Sequence, residues 1–268
     1  MIIDLVAAAL ALAACMAAAW ALQRAVHNAG WVDAVWSGST GLVGAVCALA
    51  PAGGFVPRQI LVAAMAACWS GRLAWHIARR TRGAPEDARY AQFRVEWGAD
   101  FQPRLFWFLM IQAAAAWVLV LSVVVAARQP WPGWRVADLL GVALLVASVL
   151  GEAVADAQLR RFRQAGGGGV CDAGLWSWSR HPNYFFEFLG WCAYPVMAIE
   201  WGGGYAAGFL ALLGPAMMFW LLRFVSGVPP LEKSMLARRG AAFAAYQARV
   251  SAFFPWPPAK ARLVRKVG

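Results

Sequence analysis

Apolar residues run along the chain in long stretches, and polar residues gather in the connections between them. A helix that crosses the roughly 30 Å hydrocarbon core of a bilayer needs about 20 predominantly apolar residues. Seven stretches meet that requirement, at 3–22, 31–50, 59–78, 105–127, 136–155, 183–199 and 202–224. The pattern predicts an all-α polytopic membrane protein, a seven-transmembrane-helix bundle forming a single integral-membrane domain over 1–268. The sixth stretch is the weakest, because Glu187 and Pro195 interrupt a short segment. Beyond the seventh, Leu231, Met235, Leu236, Phe243, Tyr246, Val250, Phe253 and Phe254 recur among basic residues. That alternation predicts amphipathic interfacial helices over 229–254, broken at Gly240 and ended by Pro255, Pro257 and Pro258.

Composition agrees: 62% of residues are hydrophobic and 14% charged, too little polar surface to solvate a soluble domain. The first apolar stretch has no Lys or Arg before it and continues past Ala19, so it reads as a retained span. Cys15, Cys47, Cys68, Cys171 and Cys192 form no CxxC pair and lie mostly in apolar runs. They suggest buried small hydrophobes, with neither a disulfide framework nor a metal site.

The net charge of +11 would point a soluble protein toward nucleic acid; in a membrane protein it reports topology, and no nucleic-acid partner is expected. Arg24 follows the first stretch, Arg79, Arg80, Arg82, Arg89, Arg94 and Arg104 the third, and Arg160, Arg161, Arg163 and Arg180 the fifth. The tail adds Lys233, Arg238, Arg239, Arg249, Lys260, Arg262, Arg265 and Lys266, whereas the opposite side holds Arg58, Arg128 and Arg135. The positive-inside rule then predicts an external N-terminus, a cytoplasmic C-terminus, and three long basic segments (79–104, 156–183, 225–268) facing the cytoplasm.

Ionisable residues where lipid is expected are the chemical signal. Glu152, Asp156, Arg160 and Arg163 recur at helical steps and share one face. A carboxylate at membrane depth costs about 2.5–3.5 kcal/mol on insertion scales, so this stripe belongs in a polar cavity or a salt-bridge ladder. Gly166 to Gly169 read as a hinge, without the strand context of a dinucleotide fingerprint. Pro182 then suits a first helical turn, and a helix start beside Arg180 and His181 suits a phosphate or carboxylate. Asn183 and Glu187 lie one turn apart, with Trp191 following on that face. Residues 79–90, mixing both charges with Tyr90, read as a packed loop.

With these residues in place, the chain resembles the membrane steroid 5-alpha-reductase superfamily, most closely its bacterial branch, over about Asn28 to Lys260. The motif Ser179-Arg180-His181-Pro182-Asn183-Tyr184 through Glu187 carries the resemblance. Glu86-Asp87-Ala88-Arg89-Tyr90 and Tyr246-Gln247-Ala248-Arg249 through Trp256 support it. The resemblance implies a bacterial inner-membrane enzyme that binds NADPH in a bundle open to the cytoplasm. There it would reduce an activated C=C bond of a hydrophobic steroid-like or other lipid substrate. It implies cofactor contacts for Glu152, Asp156, Arg160 and Arg163 on the fifth helix, Asn183 and Glu187 on the sixth, and more loosely Arg72 and Arg82. Trp178, Arg180, His181, Tyr246 and Arg249 complete that set, and Asp33, Glu86 and Tyr90 are the candidates to protonate the enol form.

Physical chemistry suits such a cofactor: arginines form charge-assisted bonds to phosphates, and an amide matches Asn183 with Glu187. The Gln-Glu pair with which steroid reductases hold a keto group is absent, and the second stretch offers Asp33, Trp36 and Ser37 instead. The alternative is an S-adenosylmethionine-dependent methyltransferase of the isoprenylcysteine or phospholipid type, whose scaffold is similar. Arg180 to Tyr184, Glu232, Gly240, Phe243 and Tyr246 fit that pattern too. A retinal-type sensor lacks its lysine, a transporter lacks paired halves, and a monomer is expected.

Overall fold

The computed structural model describes residues 1–51 and 53–258; Lys260, Arg262, Arg265 and Lys266 lie outside the described residues. In chain order the α-helices are α1 (Ile2–Val26), α2 (Trp31–Leu49), α3 (Val56–Thr81), α4 (Ala88–Trp97), α5 (Phe101–Ala127), α6 (Val136–Gln164), α7 (Pro182–Trp191), α8 (Ala193–Ala198), α9 (Leu213–Trp220) and α10 (Val228–Arg249). Among the described residues the fold is all-α, with no strand beyond a single bridge between Ser179 and Ser251. Among the described residues six helical stretches are long and apolar enough to cross a membrane: Ile2–Val26, Trp31–Leu49, Val56–Thr81, Ala88–Ala127, Val136–Gln164 and Ala206–Arg249.

The sequence differs from the structure where polar residues blur a boundary. The expected sixth span, 183–199, is two short helices, α7 and α8, broken at Cys192. Pro195 has no N–H for the carbonyl of Trp191 one turn back, and its ring collides with that turn. The expected loop 79–104 contains α4, which Asp87 caps by accepting the Arg89 N–H at 3.0 Å. The interfacial helix expected to reach 254 ends at Arg249, where Val250 turns extended. It breaks at Gly240 (φ +49°), a conformation that strains any residue with a Cβ. The fifth expected span, 136–155, continues to Gln164. Gly166 (φ +76°) and Gly167 close that helix with N–H bonds to the carbonyls of Arg163 (3.3 Å) and Phe162 (3.1 Å), a left-handed cap where a hinge was expected.

The chain divides into two compact units, with boundaries inside α6, between α7 and α8, and inside α9. The first comprises residues 1–143 and 192–217. In it α5 packs against α1, α2 and α3, and the second half of α5, from Leu119 to Ala127, is buried on every side. A helix apolar all round is expected to occupy such a core. Tryptophans stitch the helices together: the indole N–H groups of Trp20, Trp36 and Trp117 donate to the carbonyls of Gln102, Gln112 and Leu5 at 3.1, 2.9 and 2.8 Å. Small residues bring α2 onto α3, since a Cβ on Gly41 would lie 2.0 Å from the Ser70 Cβ and 2.7 Å from the Ala66 carbonyl oxygen.

Arg58, fully buried at the start of α3, ties the 129–138 connection to this unit. Its Nε and Nη2 donate to the two oxygens of Asp138, both at 2.9 Å. The remaining N–H groups reach the carbonyls of Gln129 (3.1 Å), Trp131 (2.9 Å) and Gly133 (2.5 Å). All five guanidinium donors are therefore used, which is the condition for burying the charge.

The second unit comprises, among the described residues, 144–191 and 218–258. Here α7 lies directly on α6: a Cβ on Gly151 would meet the Phe186 ring at 2.3 Å, and Ser148 Oγ donates to the Phe186 carbonyl at 2.6 Å. Phe188, Phe219, Phe253 and Phe254 form an aromatic cluster with centroids 5.1–5.9 Å apart, edge-on except for Phe219 and Phe254, whose planes are tilted by 33°. All five cysteines are free thiols; Cys47 and Cys171 are buried, and Cys68 is exposed on α3.

Arg58→Ala is expected to cost about 3–5 kcal/mol, because buried Asp138 would lose its partner. The double replacement Arg58→Met with Asp138→Leu should recover part of that loss. Thermal unfolding of the detergent-solubilised variants checks both; equal losses in the two would refute the pairing argument.

Candidate functional site

The segment entering α7 is fixed before it reaches the helix. Leu175 N–H bonds to Gln158 Oε1 (2.9 Å), and the Trp176 indole donates to the Ala155 carbonyl (3.0 Å), pinning both to α6. Tyr246 OH donates to the Trp176 carbonyl at 2.5 Å. Ser179 is fully buried; its Oγ donates to the Phe253 carbonyl at 2.8 Å and accepts the His181 N–H at 3.1 Å. These bonds set Arg180 and His181 at the entrance to α7, which starts at Pro182 as its fixed φ favours.

Arg180 then meets α10. Its Nε and Nη2 donate to Glu232 at 2.7 and 3.2 Å, a bidentate pair, and Nη1 donates to the carbonyls of Gln247 (3.1 Å) and Val250 (2.5 Å). Arg180 thus caps the C-terminal end of α10, where unpaired carbonyls need donors and the helix dipole favours a cation. Gln247 Nε2 donates to Glu232 Oε2 at 2.7 Å, and His181 Nε2 lies 2.9 Å from Glu232 Oε1. The anion at the start of α7 is therefore a carboxylate of the same chain. Burial lowers the pKa of His181; the bond to Glu232 opposes that, and the charges of Arg180 and Arg223 add to the lowering, so the net shift is downward. Neutral His181 then serves as the Nε2–H donor to Glu232.

The remaining expected contacts of this unit lie along α6, α7 and the turn after α10. Glu152 is buried, Asp156 half-buried, and Arg160 and Arg163 exposed, so the stripe on α6 runs from a buried acid to an exposed basic end. On α7, Asn183 Oδ1 accepts the Tyr184 N–H at 3.1 Å, and buried Glu187 accepts the Trp191 indole N–H at 3.2 Å. Trp178 is exposed, its carbonyl accepting the Trp256 N–H at 3.0 Å. Arg249 pairs with Asp172 at 3.1 Å.

A second cluster belongs to the first unit. Asp33, in the first turn of α2, accepts Tyr90 OH at 2.9 Å and pairs with Arg89, whose Nε also bonds to Asp87 at 3.0 Å. Glu86 is engaged elsewhere: it accepts the Ala29 N–H at 3.0 Å and pairs with Arg94 at 2.9 Å. For both Glu86 and Asp87, burial alone would raise the carboxyl pKa. Bonds from Arg94 and the Ala29 N–H, and the charge and bonds of Arg89, outweigh burial and leave both below the usual carboxylate value. Of the proton-donor candidates, Asp33 and Tyr90 are in contact, whereas Glu86 secures the α1–α2 turn. Arg72 is half-buried within α3, and Arg82 is exposed just past its end.

Residues 19–250 match the profile of the family described as Protein of unknown function (DUF1295). The chain belongs to the DUF1295 family. No curated protein and no solved structure matches it. In this DUF1295 chain Ser179 and Gln247, which stand in the quoted motifs but outside the expected site set, hold the entrance to α7 and Glu232, and Asp33 pairs with Arg89. Asp33 is the one charged residue in α2, a signal by itself that a cation must lie nearby.

The lowered pKa of His181 fixes a sign. Unfolded histidine takes its proton near pH 6.5, before folded His181 does, so protonation favours unfolding and stability falls as pH drops through 6.5 toward the folded pKa. Melting curves between pH 8 and 5 should show a steeper decline for the wild type than for His181→Gln. Parallel declines would mean that His181 contributes nothing to the pH dependence.

Proposed function

We propose that this DUF1295 protein is an NADPH-dependent membrane reductase that acts on an activated C=C bond of a hydrophobic, steroid-like or other lipid substrate. The observation that carries this reading is the α6 stripe, from buried Glu152 to exposed Arg163. The eleven helical steps from Glu152 to Arg163 span about 16 Å, room for an extended dinucleotide with its amide end buried and its phosphates at the rim. The donor set suits that group. Arg160 and Arg163 offer charge-assisted bonds to phosphates, and the Asn183 amide with Glu187 suits a carboxamide. Arg180 is already committed to Glu232 and two carbonyls, so its part is to hold α7 and α10 together.

Bound there, the cofactor would supply a hydride. For the complementary step, protonation of the enol form, the supporting observation is the contact between the two candidates Asp33 and Tyr90 within the first unit. We further propose seven spans, with the N-terminus outside and the C-terminus in the cytoplasm.

One observation favours a second reading. Glu232 joined to Arg180 and His181 unites the residues that also fit the S-adenosylmethionine-dependent methyltransferases. Titrating the purified protein with NADPH, NADH and S-adenosylmethionine separates the two. A ligand at about 100 times its Kd adds about 2.7 kcal/mol to the folded state, and NADPH is expected to raise the melting temperature most. Stabilisation by S-adenosylmethionine alone would replace the reductase reading with the methyltransferase. Asn183→Ala and Glu187→Ala should weaken NADPH binding while the protein stays folded; unchanged affinity would move the carboxamide elsewhere.

A further inference from the structure

The outer face of α5 carries a groove of about 440 Å³ lined by Trp97, Pro103, Arg104, Trp107, Phe108 and Ile111. Arg104, Trp107, Phe108 and Ile111 fall at helical positions i, i+3, i+4 and i+7, so they make one continuous strip. The walls are rigid: Trp97 stacks on Phe93 at 4.5 Å with planes 9° apart, and Phe93 meets Phe108 edge-on at 5.5 Å. Trp107 and Ile111 are each 67% exposed, on a helix whose remaining length is apolar enough to cross a bilayer. Arg104 stands at the end of the strip where the apolar run begins, which is where an interfacial cation is expected.

A slot that is apolar along its length and cationic at one end has the polarity of an anionic amphiphile. The neighbouring Asp100 leaves that cation available: it lies 3.5 Å from Arg104, and both side chains are more than half exposed. Exposed pairs of this kind are worth about 0–1 kcal/mol and yield readily to a competing anion. The aromatic walls suit an acyl chain, and the adjoining indoles suit the headgroup level.

We propose that this groove is a binding site for an anionic phospholipid of the surrounding bilayer, with one acyl chain along Trp107, Phe108 and Ile111 and the phosphate on Arg104. Full-length protein in detergent is to be titrated with phosphatidylglycerol or phosphatidylcholine of the same chains, counting bound lipid by native mass spectrometry. Wild type should prefer dioleoyl phosphatidylglycerol over dioleoyl phosphatidylcholine, and over dihexanoyl phosphatidylglycerol. Arg104→Gln should weaken phosphatidylglycerol binding about fivefold, the worth of one interfacial cation, and leave phosphatidylcholine unchanged. Arg79→Gln, at an exposed basic position on α3, should leave both lipids unchanged. Unaltered phosphatidylglycerol affinity in Arg104→Gln, an equal loss in Arg79→Gln, or indifference to chain length would each overturn the proposal.

Discussion

An ionised group held away from water must have its donors and acceptors matched by the protein, because the desolvation cost reaches several kcal/mol per charge. The rest of the structure depends on that constraint. In the first unit Arg58 meets it by spending every donor, and the chain from Gln129 to Gly133 is shaped by the need to present three carbonyls to one guanidinium. In the second unit Arg180 meets it with one carboxylate and the open end of a helix. Asp33 meets it with a guanidinium and a phenol. Each solution draws groups from distant points in the sequence, so the charges act as organisers of the apolar helices around them.

The helices themselves were legible because hydrophobic length alone specifies a span, and five of the seven expected stretches match α1, α2, α3, α5 and α6 to within a few residues at most ends. Failures occurred where polar side chains lie on a helix that continues past the apolar run, as with Arg160 and Arg163 on α6. They also occurred where a short helix is capped instead of being driven by hydrophobicity, as with α4 behind Asp87. Pro195 announced trouble in the sixth stretch, and the break falls where its missing N–H requires.

Candidate site residues were legible by type more than by partner. Arg180, His181 and Glu187 stood out because polar groups beside an apolar run are costly, yet nothing in the order of residues says that Arg180 faces Glu232, 52 positions away. The family resemblance put Asp33 and Tyr90 among the proton-donor candidates without revealing that they touch, and it put Glu86 beside them although Glu86 serves another turn. Helical periodicity relates neighbours within about two turns; the contacts that decide the chemistry are of longer range.

The break at Gly240 has a geometric consequence. Glu232 and Gln247 are fifteen residues apart within α10, which on a straight helix would separate them by about 22 Å, yet their side chains bond at 2.7 Å. Gly240 folds α10 back on itself into a helical hairpin, and the length of each arm sets whether the amide arrives at the carboxylate. A residue with no side chain, exposed to solvent, therefore acts as the elbow that brings Gln247 to Glu232. Adding or removing one residue in either arm would turn Gln247 by about 100° around its axis and away from Glu232.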